Sequence, residues 1–147
     1  MFAIGGETDI FTKGSERVII DYKGFKILPI ICYDLRFPVW IRNTDNYDLI
    51  IAVANWPQQR QEIWDILLRA RAIENQCFIL GVNRVGTDGN KINYSGGTAI
   101  INYIGEVLNR AKNDENQIIT EIIDKKEMDI FRKFMPILKD IDEFKIL

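Results

Sequence analysis

Two almost unbroken apolar runs constrain the fold more than anything else in the chain. Tyr47 to Ala54 reads YDLIIAVA, and Cys77 to Val82 reads CFILGV. A strand with water on one face alternates apolar and polar residues, whereas a run that is apolar throughout belongs to a strand buried on both faces. Between the two runs lies Gln59 to Gln76, where Ile63, Ile66, Leu67, Ala70 and Ile73 recur at three- and four-residue spacing. That spacing puts one apolar stripe on a helix. Buried strands separated by a helix predict an α/β architecture with a substantial sheet.

The flanking segments extend the pattern. Arg17 to Tyr22 is rich in β-branched residues, Lys23-Gly24 makes a tight turn, and Phe25 to Ile31 reads as the hairpin partner. Phe37 to Asn43 reads as a short helix with Pro38 in its first turn. Further along, Thr87-Asp88-Gly89-Asn90 signals a turn. Thr98 to Asn102, Glu106 to Asn109 and Ile118 to Ile123 read as three more strands, separated by Gly105 and the polar stretch Lys112 to Gln117. Asp124 caps a helix that runs to about Phe134 and stops before Pro136. The last dozen residues read as a docking tail.

The apolar climb Ile27-Leu28-Pro29-Ile30-Ile31 ends abruptly at Cys32-Tyr33-Asp34. A thiol there sits at the mouth of a sheet, where the chain turns sharply, a good place for a nucleophile and for backbone N–H groups aimed at an oxyanion. The loop Asn55-Trp56-Pro57 also follows a strand, and ligand sites in such sheets gather at the strand carboxyl ends. Cys32 and Trp56 are therefore expected around one pocket. The chain has no histidine, so the usual base for a thiol nucleophile is missing.

Composition narrows the function classes. The net charge of −2 and the absence of a basic stretch give no support to nucleic-acid binding. No run of apolar residues is long enough to span a bilayer, and the first residues lack the form of a signal peptide, so no membrane partner is expected. Cys32 and Cys77 are too few for a disulfide scaffold, so a cytoplasmic protein with reduced thiols is expected. At 147 residues the chain suits one domain or part of a larger one. Nothing in it calls for a metal or an organic cofactor.

An ordered set of motifs then carries a family resemblance. They are Gly5-Gly6-Glu7, Phe11-Thr12-Lys13-Gly14, Cys32-Tyr33-Asp34-Leu35-Arg36-Phe37-Pro38, Ala54-Asn55-Trp56-Pro57, Arg69-Ala70-Arg71-Ala72-Ile73-Glu74-Asn75, Asn83-Arg84-Val85-Gly86, Tyr94-Ser95-Gly96-Gly97-Thr98 and Gly105-Glu106-Val107-Leu108. Together they resemble the carbon–nitrogen hydrolase (nitrilase) superfamily, and within it the bacterial ω-amidase-like branch. The resemblance implies an α-β-β-α sandwich and a Glu–Lys–Cys triad. Cys32 matches the nucleophile, the Tyr33 backbone N–H an oxyanion donor, and Glu7, 25 positions before Cys32, a second glutamate of the family. Asn55 and Trp56 are read as substrate-binding. The implied reaction is hydrolysis of a small linear amide, such as the monoamide of a 2-oxo dicarboxylic acid, through a thioester. A homo-oligomer is implied for the full-length form.

The family's base glutamate and its lysine both fall N-terminal to the region seen here. The resemblance therefore implies the C-terminal half of the family domain, a fragment nearly inactive alone, with apolar edges and faces left open. A non-catalytic half-domain, or one chain of a split enzyme acting through a partner, is the alternative. Plainer readings stand beside the sharp ones. Cys77 reads as core, Asp34 and Arg36 as a hydrogen bond and ion pair bracing the turn, and Arg69, Arg71 and Glu74 as structural ion pairs. Tyr94 to Thr98 serves either a pocket or a subunit contact.

Overall fold

The computed structural model describes residues 6–12 and 14–142. Gly5 and Lys13 of the quoted motifs, and the end of the tail from 143 on, lie outside the described residues.

The strands are β1 (Ile20–Tyr22), β2 (Phe25–Ile31), β3 (Leu49–Ala54), β4 (Phe78–Asn83), β5 (Val85–Thr87), β6 (Asn93–Ser95), β7 (Ala99–Ile101) and β8 (Val107–Arg110). The helices are α1 (Pro38–Ile41), α2 (Gln61–Asn75) and α3 (Lys125–Phe134). Six strands form one sheet in the order β1-β2-β3-β4-β7-β8, and β5 pairs with β6 in a separate hairpin. The three central strands are parallel, with Ile27 beside Leu49 beside Phe78 at one end and Ile31 beside Val53 at the other. β1, β7 and β8 are antiparallel to their neighbours. The mixed α/β class expected from the two apolar runs is the one observed.

The parallel registers explain the unbroken hydrophobicity. Leu28, Ile30, Ile50, Ala52, Ile79 and Ile101 point to one face and are buried with Trp64, Leu68 and Ala72 of α2. This contact is close: a Cβ built on Gly81 would lie 2.5 Å from Leu68 Cδ1 and 3.0 Å from Trp64 Cζ2, so only glycine lets α2 settle onto β4. On the opposite face Ile27, Leu49 and Phe78 bury Met128 of α3. A buried carboxylate locks that helix in place, since Asp48 pairs with both Lys125 and Arg132. Asp124 caps α3 as expected, accepting the Lys126 N–H at 2.7 Å.

Beyond Met128 this second face is open. At the carboxyl ends of the parallel strands Ile31, Val53 and Val82 are exposed, Ile31 by 68%.

One expected strand is absent, and one hairpin was not expected. Ile118 to Ile123 is not a strand; it forms no sheet pairing, and Ile118 and Ile122 are almost fully exposed. β-branched residues favour a strand only where a neighbouring strand offers its hydrogen bonds, and among the described residues the backbone here bonds only to side chains, the Thr120 carbonyl accepting from Asn109 Nδ2 and the Ile122 N–H donating to Glu121 Oε1. Conversely, Val85–Thr87 and Asn93–Ser95 form a hairpin around the expected Thr87–Asn90 turn. Both strands are too short and polar to show periodicity. Gln59 to Gln76 is helical from Gln61, preceded by a 3-10 turn at Gln58–Arg60.

Candidate active site

The three parallel strands all end on the same side, and each delivers a polar residue there. β2 runs into Cys32, β3 into Asn55 and Trp56, and β4 ends at Asn83. This is where α/β sheets place their ligands. A cavity of about 400 Å³ opens at this point, a size suited to a small molecule. Glu7, Cys32, Tyr33, Arg36, Asn55 and Trp56 are among its lining residues.

Cys32 sits on an elbow. The extended backbone of Ile31 gives way to a 3-10 turn over Cys32–Arg36, and Cys32 itself is left-handed with φ 44°. An L-residue other than Asn or Asp rarely adopts that conformation, and strain of this kind clusters at functional sites. The surroundings hold it. Asp34 Oδ2 accepts the Ile31 N–H at 3.0 Å, the Asp34 carbonyl accepts from Phe37 at 3.0 Å, and Leu35 is fully buried beneath the turn. Arg71 of α2, itself buried, donates Nε to the Leu35 carbonyl at 2.9 Å and pairs with Glu74. The Arg71–Glu74 pair is thus structural, as read from the sequence, and it anchors the elbow. Arg69 instead donates to the Gly105 carbonyl at 2.9 Å.

Asp34 braces the elbow through the backbone, but it does not pair with Arg36. The Arg36 guanidinium lies over the Trp56 ring at 4.9 Å and over the Tyr33 ring at 5.9 Å. The turn points the two side chains apart, and the aromatic faces offer Arg36 a cation–π contact instead.

The thiol of Cys32 is half-buried, with Sγ 4.0 Å from the Asn55 carbonyl. Burial pushes its pKa up, the Asn55 contact and the charge of Arg60 pull it down, and the charges of Glu7 and Asp34 push it up again. The net direction is upward, so the groups described here hold the thiol protonated at neutral pH. Cys77 is fully buried at the start of β4 and its thiol is pushed up further by desolvation, in keeping with its core reading.

The other expected residues fall as follows. Glu7 lies in a 3-10 turn at Glu7–Asp9, far from the elbow in sequence, yet lines the same cavity. Tyr33 lines it too, its ring edge-on to Phe37 at 5.2 Å. Asn55 is exposed and presents its carbonyl to the thiol. Trp56 is a wall of the cavity and also core, 3% exposed and packed on Trp64 at 5.4 Å. Tyr94 does not line this cavity; its hydroxyl donates to Asp88 at 2.8 Å and Arg84 stacks on its ring.

Two residues escaped the sequence reading. Asn83 holds the Trp56 loop by accepting the Trp56 N–H at 2.7 Å while donating to the Trp56 and Gly96 carbonyls at 3.0 and 2.7 Å. Arg60 lines the cavity, and its carbonyl accepts from Trp56 Nε1 at 2.7 Å. Their signal was weak: Asn83 entered only as part of the Asn83-Arg84-Val85-Gly86 motif, and Arg60 only as a residue of the helix expected over Gln59 to Gln76. Among the described residues no group of His, Cys, Asp or Glu could hold a metal ion, and no helix is long and apolar enough to cross a membrane.

The model of the carbon–nitrogen hydrolase family matches residues 6–133, and the chain belongs to that family. Within the family it is similar to the omega-amidase YafV of Escherichia coli K12, 42% identical over 99% of this chain and 57% of that protein. It is also similar to the 2-oxoglutaramate amidase of Bacillus subtilis, 36% identical over 96% of this chain and 54% of that one. The structure of XC1258 from Xanthomonas campestris, a CN-hydrolase superfamily protein with an arsenic adduct in the active site, superimposes with a TM-score of 0.94 at 40% identity. It covers 99% of this chain, which covers 58% of XC1258. The chain thus spans little more than half the length of these relatives. The matches run along nearly all of it, so they do not bear out the narrower reading of it as a C-terminal half only.

Proposed function

We propose that this protein hydrolyses the C–N bond of a small linear amide of the ω-amidase type, with Cys32 as nucleophile. The observation that carries the reading is the strained Cys32 elbow opening onto a small-molecule cavity at the strand carboxyl ends. The names of the similar amidases support the substrate class. In the proposed cycle the Cys32 sulfur attacks the amide carbon and the C–O π pair moves onto oxygen, which the Tyr33 backbone N–H helps to hold. As the oxyanion collapses the C–N bond breaks, a proton goes to nitrogen, and ammonia leaves. Water, giving up a proton to the base, then hydrolyses the thioester to the acid and free thiol.

The groups lining the cavity do not complete this cycle. Among the described residues the lining includes no lysine, and burial holds the thiol protonated. The cycle needs a further base and a further cation, which the family resemblance assigns to a glutamate and a lysine outside the residues of this chain. Glu7 raises the thiol pKa, so it suits a role in holding a cation or relaying a proton, not in ionising Cys32. The open face around Ile31, Val53 and Val82 favours a second reading, in which a separate chain carrying that glutamate and lysine seats there.

The test is ammonia release from succinamate and from the monoamide of 2-oxoglutarate, alone and with a chain supplying the missing pair, beside the Cys32→Ala variant. Intact-mass detection of an acyl adduct on Cys32 is expected. Turnover that survives Cys32→Ala overturns the assignment.

A further inference from the structure

The cavity beside Cys32 holds charge that amide cleavage does not use. Arg36 and Arg60 both line it, against one carboxylate among its described lining residues, Glu7. Among the described residues neither arginine belongs to an ion pair. Arg36 rests on aromatic faces, which leave the edge N–H groups of its guanidinium available. Arg60 is held by its main chain: its N–H donates to the Pro57 carbonyl at 2.9 Å and its own carbonyl is clamped by Trp56 Nε1. Trp56 is in turn tied to Asn83. The exposed Arg60 side chain therefore leaves from a fixed point on the cavity rim. Its charge reaches the thiol, which it pulls downward.

With Glu7 as the one carboxylate among the described lining residues, a neutral alkylamide filling this cavity would leave its positive charge in excess. A monoamide of a dicarboxylic acid would supply an anion, placed at the end of the molecule away from the scissile bond. We propose that Arg60, with Arg36 beside it, binds the free carboxylate of the substrate and is the residue that selects anionic ω-amides over neutral amides. The assignment rests on the amidase reading of the site. A charge-assisted guanidinium–carboxylate contact is strong enough to change preference by about tenfold or more.

The test reads binding, so it does not need turnover. Cys32 of the full chain is alkylated with iodoacetamide in the presence of succinate or of the uncharged succinamide, and the concentration that halves the rate is measured for each. Using the midpoint within one variant removes any effect of Arg60 on the intrinsic reactivity of the thiol. The wild type is expected to be protected at lower succinate than succinamide. In Arg60→Gln that preference falls at least tenfold, and in Arg60→Lys by less. Among the described residues the exposed Arg60 side chain makes no hydrogen bond, so both variants keep the wild-type circular dichroism spectrum. An unchanged preference in both variants overturns the proposal. A preference lost in Arg36→Gln and kept in Arg60→Gln also overturns it. Failure of the amidase reading shows separately, as no ammonia from succinamate under any condition, while the protection preference stays readable.

Discussion

Removing the Asn83 carboxamide tests whether the cavity is built by one side chain. Asn83 is 6% exposed and makes three side-chain hydrogen bonds, all to backbone groups of the Trp56 loop and the Gly96 turn. In Asn83→Ala the Trp56 N–H and two carbonyls lose their partners. At a net value of about 1 kcal/mol per bond the loss is about 3 kcal/mol, and more where water cannot reach the orphaned groups. For a chain of this size each kcal/mol lowers Tm by about 2–4 °C, so a fall of about 6–12 °C is expected. Asn83→Asp keeps the acceptor for Trp56 but turns both donors into a carboxylate facing carbonyls, and should cost at least as much. The assay is thermal unfolding by circular dichroism, paired with the iodoacetamide rate at Cys32. The rate should rise, because the Asn55 carbonyl that covers the thiol travels on the released loop. A Tm within about 2 °C of wild type, with an unchanged alkylation rate, would refute the argument that this tether organises the site.

Other outcomes follow from the packing. Gly81→Ala drives a methyl into Leu68 and Trp64 and is expected to lower stability by about 1–3 kcal/mol in urea unfolding; a neutral effect would show that α2 can retreat. Asp48→Asn leaves the Lys125 and Arg132 charges at α3 without their buried counter-ion, and about 3–5 kcal/mol should be lost. Proteolysis within 125–134 of that variant is the accompanying readout. Burial raises the pKa of both Cys77 and Tyr47, so each folded-state group keeps its proton where the unfolded group has lost it. The unfolded state then binds fewer protons, and stability falls as pH rises past about 8.5 for the thiol and about 10 for the phenol, by up to about 1.4 kcal/mol per pH unit for each group. The urea midpoint at pH 8 and pH 10 checks the sign; a midpoint that holds or rises contradicts it.

Much of the fold could be read from residues alone because the reading rested on burial, which periodicity reports directly. Continuous apolarity at 47–54 and 77–82 required strands covered on both faces, and the three- and four-residue spacing in α2 required a helix to cover one of them. Where burial was absent the reading failed: Ile118 to Ile123 has strand composition and no strand to pair with, and the β5–β6 hairpin has neither length nor pattern. The location of Cys32 followed from the same logic, since a run that stops at a thiol must stop at the end of a strand.

What the tertiary structure alone decided is which distant residues meet at that thiol. Parallel pairing is what brings Cys32, Asn55 and Asn83 to one edge, and no local pattern encodes the partner of a strand. The turn chose Trp56 over Asp34 as the companion of Arg36, because side-chain direction depends on the left-handed backbone at Cys32. Arg60 became a cavity residue through two main-chain bonds that its own identity does not influence. Sequence determined most of the elements and the position of the Cys32 thiol through local hydrophobic order; long-range pairing determined the charge around it, because electrostatics depends on distances that only the folded chain sets.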